Sequence, residues 1–268
     1  MVLVVAAGCG SDDAPATESI AAVDGASLSR VTLADGSHVY VQLIDLFRVR
    51  VRQVTGASDA SPGAGRYFPG AASPRFTRIP PGPAQDGCFS LVNFSFFEEY
   101  DPSTRLSFPV KSGGTVVTGG SSPYGPSAAP ADPYYRTVSL QALTWNDKGA
   151  AIAPYDPARG TPLDTAEWPD GLVTYRFQDH PSYVLSHDPP NRYQLLGLTS
   201  TSYLLIATVE HATLDTAADL LRTRGAVGEI LAFDGGVSTY LWQSSLGELV
   251  PITNSDGKLP HYLCFLPR

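Results

Sequence analysis

The segment best equipped for chemistry is Asp234-Gly235-Gly236-Val237-Ser238-Thr239. Paired glycines let a backbone take φ > 0 and bring its N–H groups against a ligand, while Asp234 offers an acceptor and Ser238 and Thr239 offer hydroxyls. That set suits an anion or a polyol. The same residues also make an ordinary tight turn in which Asp234 bonds the backbone of Gly236 and nothing binds. Two more titratable groups end an apolar run upstream. Glu210 reads as a second carboxylate or as a solvated strand end, and His211 as a proton shuttle or a loop contact. His180 and His187 have no metal-ligand spacing.

The elements that must position this turn come just before it. Leu214, Ala217, Ala218 and Leu221 recur at helical spacing, with Thr213 placed as N-cap and Gly225 as the residue that stops the helix. Glu229-Ile230-Leu231-Ala232-Phe233 then reads as a buried strand running into the glycines. Helix, short loop, strand and Gly-rich turn is the layout that sets polar groups at the edge of a sheet.

Most of the remaining chain reads as β structure. Apolar runs at 30–33 and 38–43 flank Asp35-Gly36, a hairpin signal. Residues 47–54 alternate, which directs Phe47, Val49 and Val51 to the core and Arg48, Arg50 and Arg52 to the other face. Such an arginine face is either solvated or a grip for a phosphate. Further strands are expected at 89–97, 115–118, 137–145, 172–177, 193–198 and 203–209. The Gly- and Pro-rich stretches 56–87, 119–133 and 154–171 read as long surface loops. The expected fold class is α+β: a mixed, mostly antiparallel central sheet with few helices, its long loops surrounding one cleft at the Asp234 turn.

The helix beginning Thr213-Leu214-Asp215-Thr216-Ala217-Ala218 and the strand and turn Leu231-Ala232-Phe233-Asp234-Gly235-Gly236-Val237-Ser238 resemble the signature of the phosphodiester glycosidase family. In that family a Thr-Leu-x-Glu-Leu-Ala helix leads into Leu-Asp-Gly-Gly-Gly-Ser. Leu91-Val92-Asn93-Phe94-Ser95-Phe96-Phe97 is similar to its Asn-Gly-Gly-Phe-Phe motif, and the stretch from Arg192 to Gly197 to its Arg-Thr-Ala-Ile-Gly strand. Val39-Tyr40-Val41 resembles the opening strand and Leu259-Pro260-His261-Tyr262-Leu263 the final one. Phe94 and Ser95 stand where the family has glycines, Val237 replaces the third glycine of the turn, and Thr216 replaces the helix's acidic residue.

The resemblance implies hydrolysis of a glycosyl phosphodiester, of the kind that removes an N-acetylglucosamine cap from a sugar phosphate. Asp234 is then the candidate catalytic carboxylate, with Asn93 orienting the sugar and Glu210 as a second carboxylate. Gly235, Gly236, Ser238, Thr239, Arg192 and His211 become candidate substrate contacts, Arg192 for the phosphate. The implied partner is a carbohydrate or glycosyl-phosphate ligand. No cofactor is expected and a divalent metal is left open. The rival reading is a noncatalytic glycan- or phosphate-binding protein on the same fold.

A formal charge of −8 and the absence of any basic cluster argue against nucleic-acid binding. The run Val5-Ala6-Ala7-Gly8-Cys9-Gly10 resembles a lipoprotein lipobox, with Cys9 as the lipidated residue, although no basic segment precedes it. The alternative is a chance apolar start on a cytosolic protein. The expected organisation is a signal segment over 1–9, a flexible tether over 10–26 and one folded domain over 27–268, anchored by lipid in the cell envelope. Cys88 and Cys264 then remain as a disulfide candidate or as two buried thiols.

Overall fold

A computed structural model describes residues 15–59, 74–98, 101–118, 138–156 and 159–268. Cys9 and the lipobox-like run around it, and the whole of 119–133, lie outside the described residues. The strands, in chain order, are β1 (Ala16–Val23), β2 (Ala26–Thr32), β3 (His38–Asp45), β4 (Val49–Thr55), β5 (Phe76–Thr77), β6 (Ser90–Asn93), β7 (Ser103–Thr104), β8 (Val110–Ser112), β9 (Thr115–Thr118), β10 (Gln141–Trp145), β11 (Ala150–Pro154), β12 (Asp170–Arg176), β13 (Asn191–Ser200), β14 (Tyr203–Ala212), β15 (Val227–Phe233), β16 (Leu241–Gln243), β17 (Gly247–Val250) and β18 (His261–Pro267). Two α-helices are described, the single turn α1 (Pro181–Val184) and α2 (Leu214–Thr223).

The strands form an 11-stranded sheet with the path β1-β2-β3-β14-β13-β15-β12-β10-β11, to which β8 and β9 add beside β12, and a 5-stranded sheet ordered β17-β16-β6-β18-β4. Their inner faces pack together. Ile44, Leu196, Ile206, Leu231 and Phe233 of the large sheet meet Val49, Val51, Val92, Leu263 and Phe265 of the small one. On the outer face of the large sheet, α2 sets Leu214, Ala217, Ala218 and Leu221 against Val41, Leu195, Ala207 and Ala232. The four apolar positions spaced for a helix are the four that are buried. Thr213 caps the helix by accepting from the N–H of Thr216 at 3.1 Å, and Gly225 ends it at φ 98.

The architecture is more β than the α+β expectation. Every strand pairing among the described residues is antiparallel, so the expected mixed sheet is not what forms. The β14-α2-β15 connection does join strands of the same direction, but β13 lies between them and pairs antiparallel with both. Much of the expected tether is ordered as β1, because a strand's worth of backbone donors and acceptors finds partners along β2.

Phe47, expected in the core, is 58% exposed. It sits in a turn rather than in β4, where its N–H donates to Asp45 Oδ1 at 2.9 Å, so the strand alternation does not reach it. The described ends of the 56–87 stretch are not simply surface loop, since Phe76 and Ala84 are buried. Cys88 and Cys264 are joined by a disulfide that ties the turn before β6 to β18, with Cα atoms 5.5 Å apart.

Candidate functional site

The turn after β15 is stitched to the exit of β6. The Asp234 N–H donates to the Phe94 carbonyl at 2.9 Å. The Asn93 side chain closes the junction from both ends: Nδ2 donates to the Asp234 carbonyl at 2.6 Å, and Oδ1 accepts from the Tyr240 N–H at 2.9 Å. Asn93 is buried, so these bonds form where water does not compete for them. These bonds link the end of β15 in the large sheet to the end of β6 in the small one, beside the core that the two sheets share.

Both glycines have a reason to be glycine. A Cβ on Gly235 would lie 2.8 Å from the Arg192 carbonyl oxygen of β13, a backbone atom that cannot swing away. Gly236 has open space around it but takes φ 59, the left-handed region. A one-turn 3-10 helix, Gly236–Ser238, follows and buries Ser238.

Asp234 as a residue is half-buried, and protein crowds its carboxyl. Desolvation raises its pKa to about 7, against the opposing hydrogen bonds from the Ser238 hydroxyl and the Gly235 N–H. A carboxyl of that kind gives or takes a proton near neutral pH.

Arg192 opens β13 beside this turn. Its guanidinium donates to Thr253 Oγ1 at 2.9 Å, to the Thr239 carbonyl at 2.8 Å and to the Pro251 carbonyl. It is therefore a brace for the loops around the site, engaged with the protein rather than held open for a phosphate. Glu210 lies across β13 on β14, where its Oε2 accepts from the His38 N–H at 3.1 Å and its carboxylate also meets Tyr40. Its charge acts on Arg192. Strand alternation turns the next residue, His211, to an exposed position away from Glu210, and its backbone carbonyl accepts from Ser37 Oγ at 2.8 Å.

The structure thus gathers Asp234, Gly235, Gly236, Ser238, Thr239, Asn93 and Arg192 around one turn and sets Glu210 on a neighbouring strand. His211 does not join them. Phe94, which replaces a glycine of the resembled motif, does not enter the site either. It is buried in the inter-sheet core against Phe233, with ring centroids 4.1 Å apart.

Several polar residues that sequence reasoning passed over line the inner face near this turn. Gln194 pairs across β13 and β14 with Thr208, and neither side chain finds a hydrogen-bond partner among the described residues; the same holds for Oγ1 of Thr239, already a candidate contact from the sequence. All three are fully buried. Buried groups of this type need a water or a ligand to complete them. Their signal in the sequence was a polar residue at an inward position of an otherwise apolar strand. Ser95, at the second replaced glycine, places Oγ 2.7 Å from His261 Nδ1. Among the described residues no three His, Cys, Asp or Glu side chains gather as a metal-ligand set, and no helix is long and apolar enough to cross a membrane.

No protein-family model and no curated protein sequence matches the chain. Solved structures do match in fold. The catalytic domain of zebrafish N-acetylglucosamine-1-phosphodiester alpha-N-acetylglucosaminidase, auto-inhibited by its pro-peptide, aligns with a TM-score of 0.58 and 13% identity over 96% of this chain and 86% of that one. A hypothetical protein from Synechocystis aligns with a TM-score of 0.58 and 13% identity over 96% of this chain, which spans 64% of that protein. At this identity the likeness is one of fold.

Proposed function

We propose that the chain is a cell-envelope hydrolase that releases a sugar from a phosphodiester, an N-acetylglucosamine-1-phosphodiester being the first substrate to test. The observation that carries the reading is the Asp234 carboxyl: crowded by protein at the junction of two sheets, on a half-buried residue, with its pKa raised to about 7. Protonated, it donates to the oxygen leaving the sugar's anomeric carbon as the C–O bond breaks. Water then adds to that carbon and gives its proton to a carboxylate, so that the products are the free sugar and a phosphomonoester.

Glu210 is the second carboxylate for this chemistry. It sits on β14, two strand spacings from β15, a separation on the order of 10 Å. Its carboxylate accepts from the His38 N–H of β3, on the side of β14 away from β15, and is the candidate base that takes the water's proton. The fold shared with the zebrafish catalytic domain supports the substrate class. The lipobox ending in Cys9 and the Cys88–Cys264 bridge, which belongs in an oxidising compartment, support the envelope location and lipid anchor.

A second reading has its own support. Asn93 and Arg192, the residues expected to orient sugar and phosphate, are both spent on protein acceptors. A site so braced can hold a glycan or phosphate without turning it over. The test is release of free N-acetylglucosamine from a panel of N-acetylglucosamine-1-phosphodiesters and UDP-N-acetylglucosamine, with Asp234→Asn beside the native chain. Release that disappears in the variant supports the hydrolase. Saturable binding of the panel without release, by folded protein, supports the binding reading.

A further inference from the structure

The three alternating arginines, Arg48 in the turn before β4 and Arg50 and Arg52 on it, have separate fates. Arg48 pairs with Asp24 and reaches Asp45 at 3.6 Å. Arg52 donates to the Asp86 carbonyl at 2.8 Å and the Ala84 carbonyl at 3.3 Å, beside the disulfide. Arg50 has no hydrogen-bond or ion-pair partner among the described residues. It lines a cavity of about 340 Å³ at the open edge of β4, facing the ends of β10 and β12.

A second guanidinium without such a partner, that of Arg268, lines the same cavity, as does Trp145. Trp145 is only 2% exposed, and its indole N–H has no acceptor among the described residues. A buried indole N–H normally has one. Asp147 and Asp170 supply acceptors at the rim. Asp170 is held in place through Oδ1, which accepts from Gln53 Nε2 at 2.9 Å and from the Gly113 N–H at 3.1 Å.

We propose that this cavity is a second ligand site, for a small hydroxylated anion: a sugar carrying a phosphate or a carboxylate. The two guanidiniums match the oxygens of the acidic group by charge-assisted, forked hydrogen bonds. The two aspartates accept from ligand hydroxyls. Val49 and Val51 give the site an apolar wall. Its volume falls in the range of small-molecule pockets. The site is remote from Asp234: β18 pairs Tyr262 with Asn93 at one end and Pro267 with Val49 at the other, about 17 Å of strand away. The two sites are independent, and this one stands whatever Asp234 does.

The test is titration calorimetry of the full chain with glucose 6-phosphate and glucuronate, against glucose and inorganic phosphate, repeated on Arg50→Gln, Arg268→Gln and Asp234→Asn. Tryptophan fluorescence follows the same titrations. Both acidic sugars are expected to bind saturably, each arginine variant to weaken them about tenfold, and Asp234→Asn to leave them unchanged. Arg50 is exposed, so its variant keeps the fold. The proposal fails if neither acidic sugar binds up to about 10 mM. It fails equally if Arg50→Gln binds as the native chain does, if inorganic phosphate binds as tightly as the sugars, or if Asp234→Asn abolishes the binding.

Discussion

Asn93 holds Asp234 by its backbone, not by its carboxylate: Nδ2 donates to the Asp234 carbonyl at 2.6 Å while Oδ1 accepts from the Tyr240 N–H at 2.9 Å. One short amide therefore spans both ends of the glycine turn and leaves the Asp234 carboxyl to Ser238 and Gly235.

Removing that clamp is expected to cost stability as well as function. Asn93→Ala leaves a buried carbonyl and a buried N–H unpaired, a loss of roughly 2–4 kcal/mol. Urea unfolding should show the shift in midpoint, and an unchanged midpoint would mean that water replaces the amide. Asn93→Asp keeps the acceptor for Tyr240 but sets a buried carboxylate against the Asp234 carbonyl oxygen, so it should fall at least as far.

The two glycines of the turn should respond unequally to alanine. Gly235→Ala drives a Cβ to 2.8 Å from the Arg192 carbonyl and must move β13 or the turn. Gly236→Ala meets nothing and suffers only from its φ of 59, a strain of about 1 kcal/mol. Thermal melts of the pair should place Gly235→Ala well below Gly236→Ala. The reverse order would contradict the close approach of β13.

Asp234 should destabilise the protein at alkaline pH. Its folded pKa of about 7 lies above the unfolded value of 3.8, so the native state holds the extra proton between the two. Stability linked to this group is full below pH 4 and is lost as pH rises to 7. Asp234→Asn is therefore expected to raise stability at pH 8 by roughly 1–3 kcal/mol, with a smaller gain at pH 4. An equal effect at both pH values would show that the carboxyl titrates normally. If the hydrolase reading holds, the same variant gains stability as it loses activity.

Two buried histidines give the opposite slope. Burial lowers His261 to about 3 and His180 to about 4, the latter amid Phe96, Tyr175 and Tyr193. Their contribution is present above pH 6.5 and is lost as pH falls toward 4. Over that window two histidines outweigh the single Asp234, leaving a net uptake of one proton on unfolding and a slope of about 1.4 kcal/mol per pH unit. Denaturant midpoints between pH 4.5 and 6.5 test this, and His180→Gln should flatten the slope. A profile flat in both proteins would rule out the buried neutral state.

Local signals made much of the fold legible. The Thr213 cap, the Gly225 stop and the four apolar positions on one face of α2 lie close together in the chain, so the physics that sets them is contained in the segment itself. The hairpin at Asp35-Gly36 is local in the same way, with Ser37 bonding Asp35 across the turn at 2.9 Å. The edge strand β1 and the short strands β16 and β17 were not legible, because their ordering depends on partners supplied by the rest of a sheet.

For the site, the residues alone established that Asp234-Gly235-Gly236 ends a buried strand, since a glycine pair after an apolar run is a local statement about backbone freedom. Tertiary structure decided what each neighbour does. Asn93 lies 141 residues from Asp234, and Arg192 lies 61 from Thr253 and 59 from Pro251. A polar side chain in the sequence is only a set of donors and acceptors. Whether they meet a ligand, a backbone carbonyl or a cavity wall is fixed by which strands pair, and at what register, across the two sheets. Arg48, Arg50 and Arg52 share one spacing in the sequence, yet one meets carboxylates from the turn before β4, one meets carbonyls and one faces an open cavity, because each lies opposite a different part of the fold.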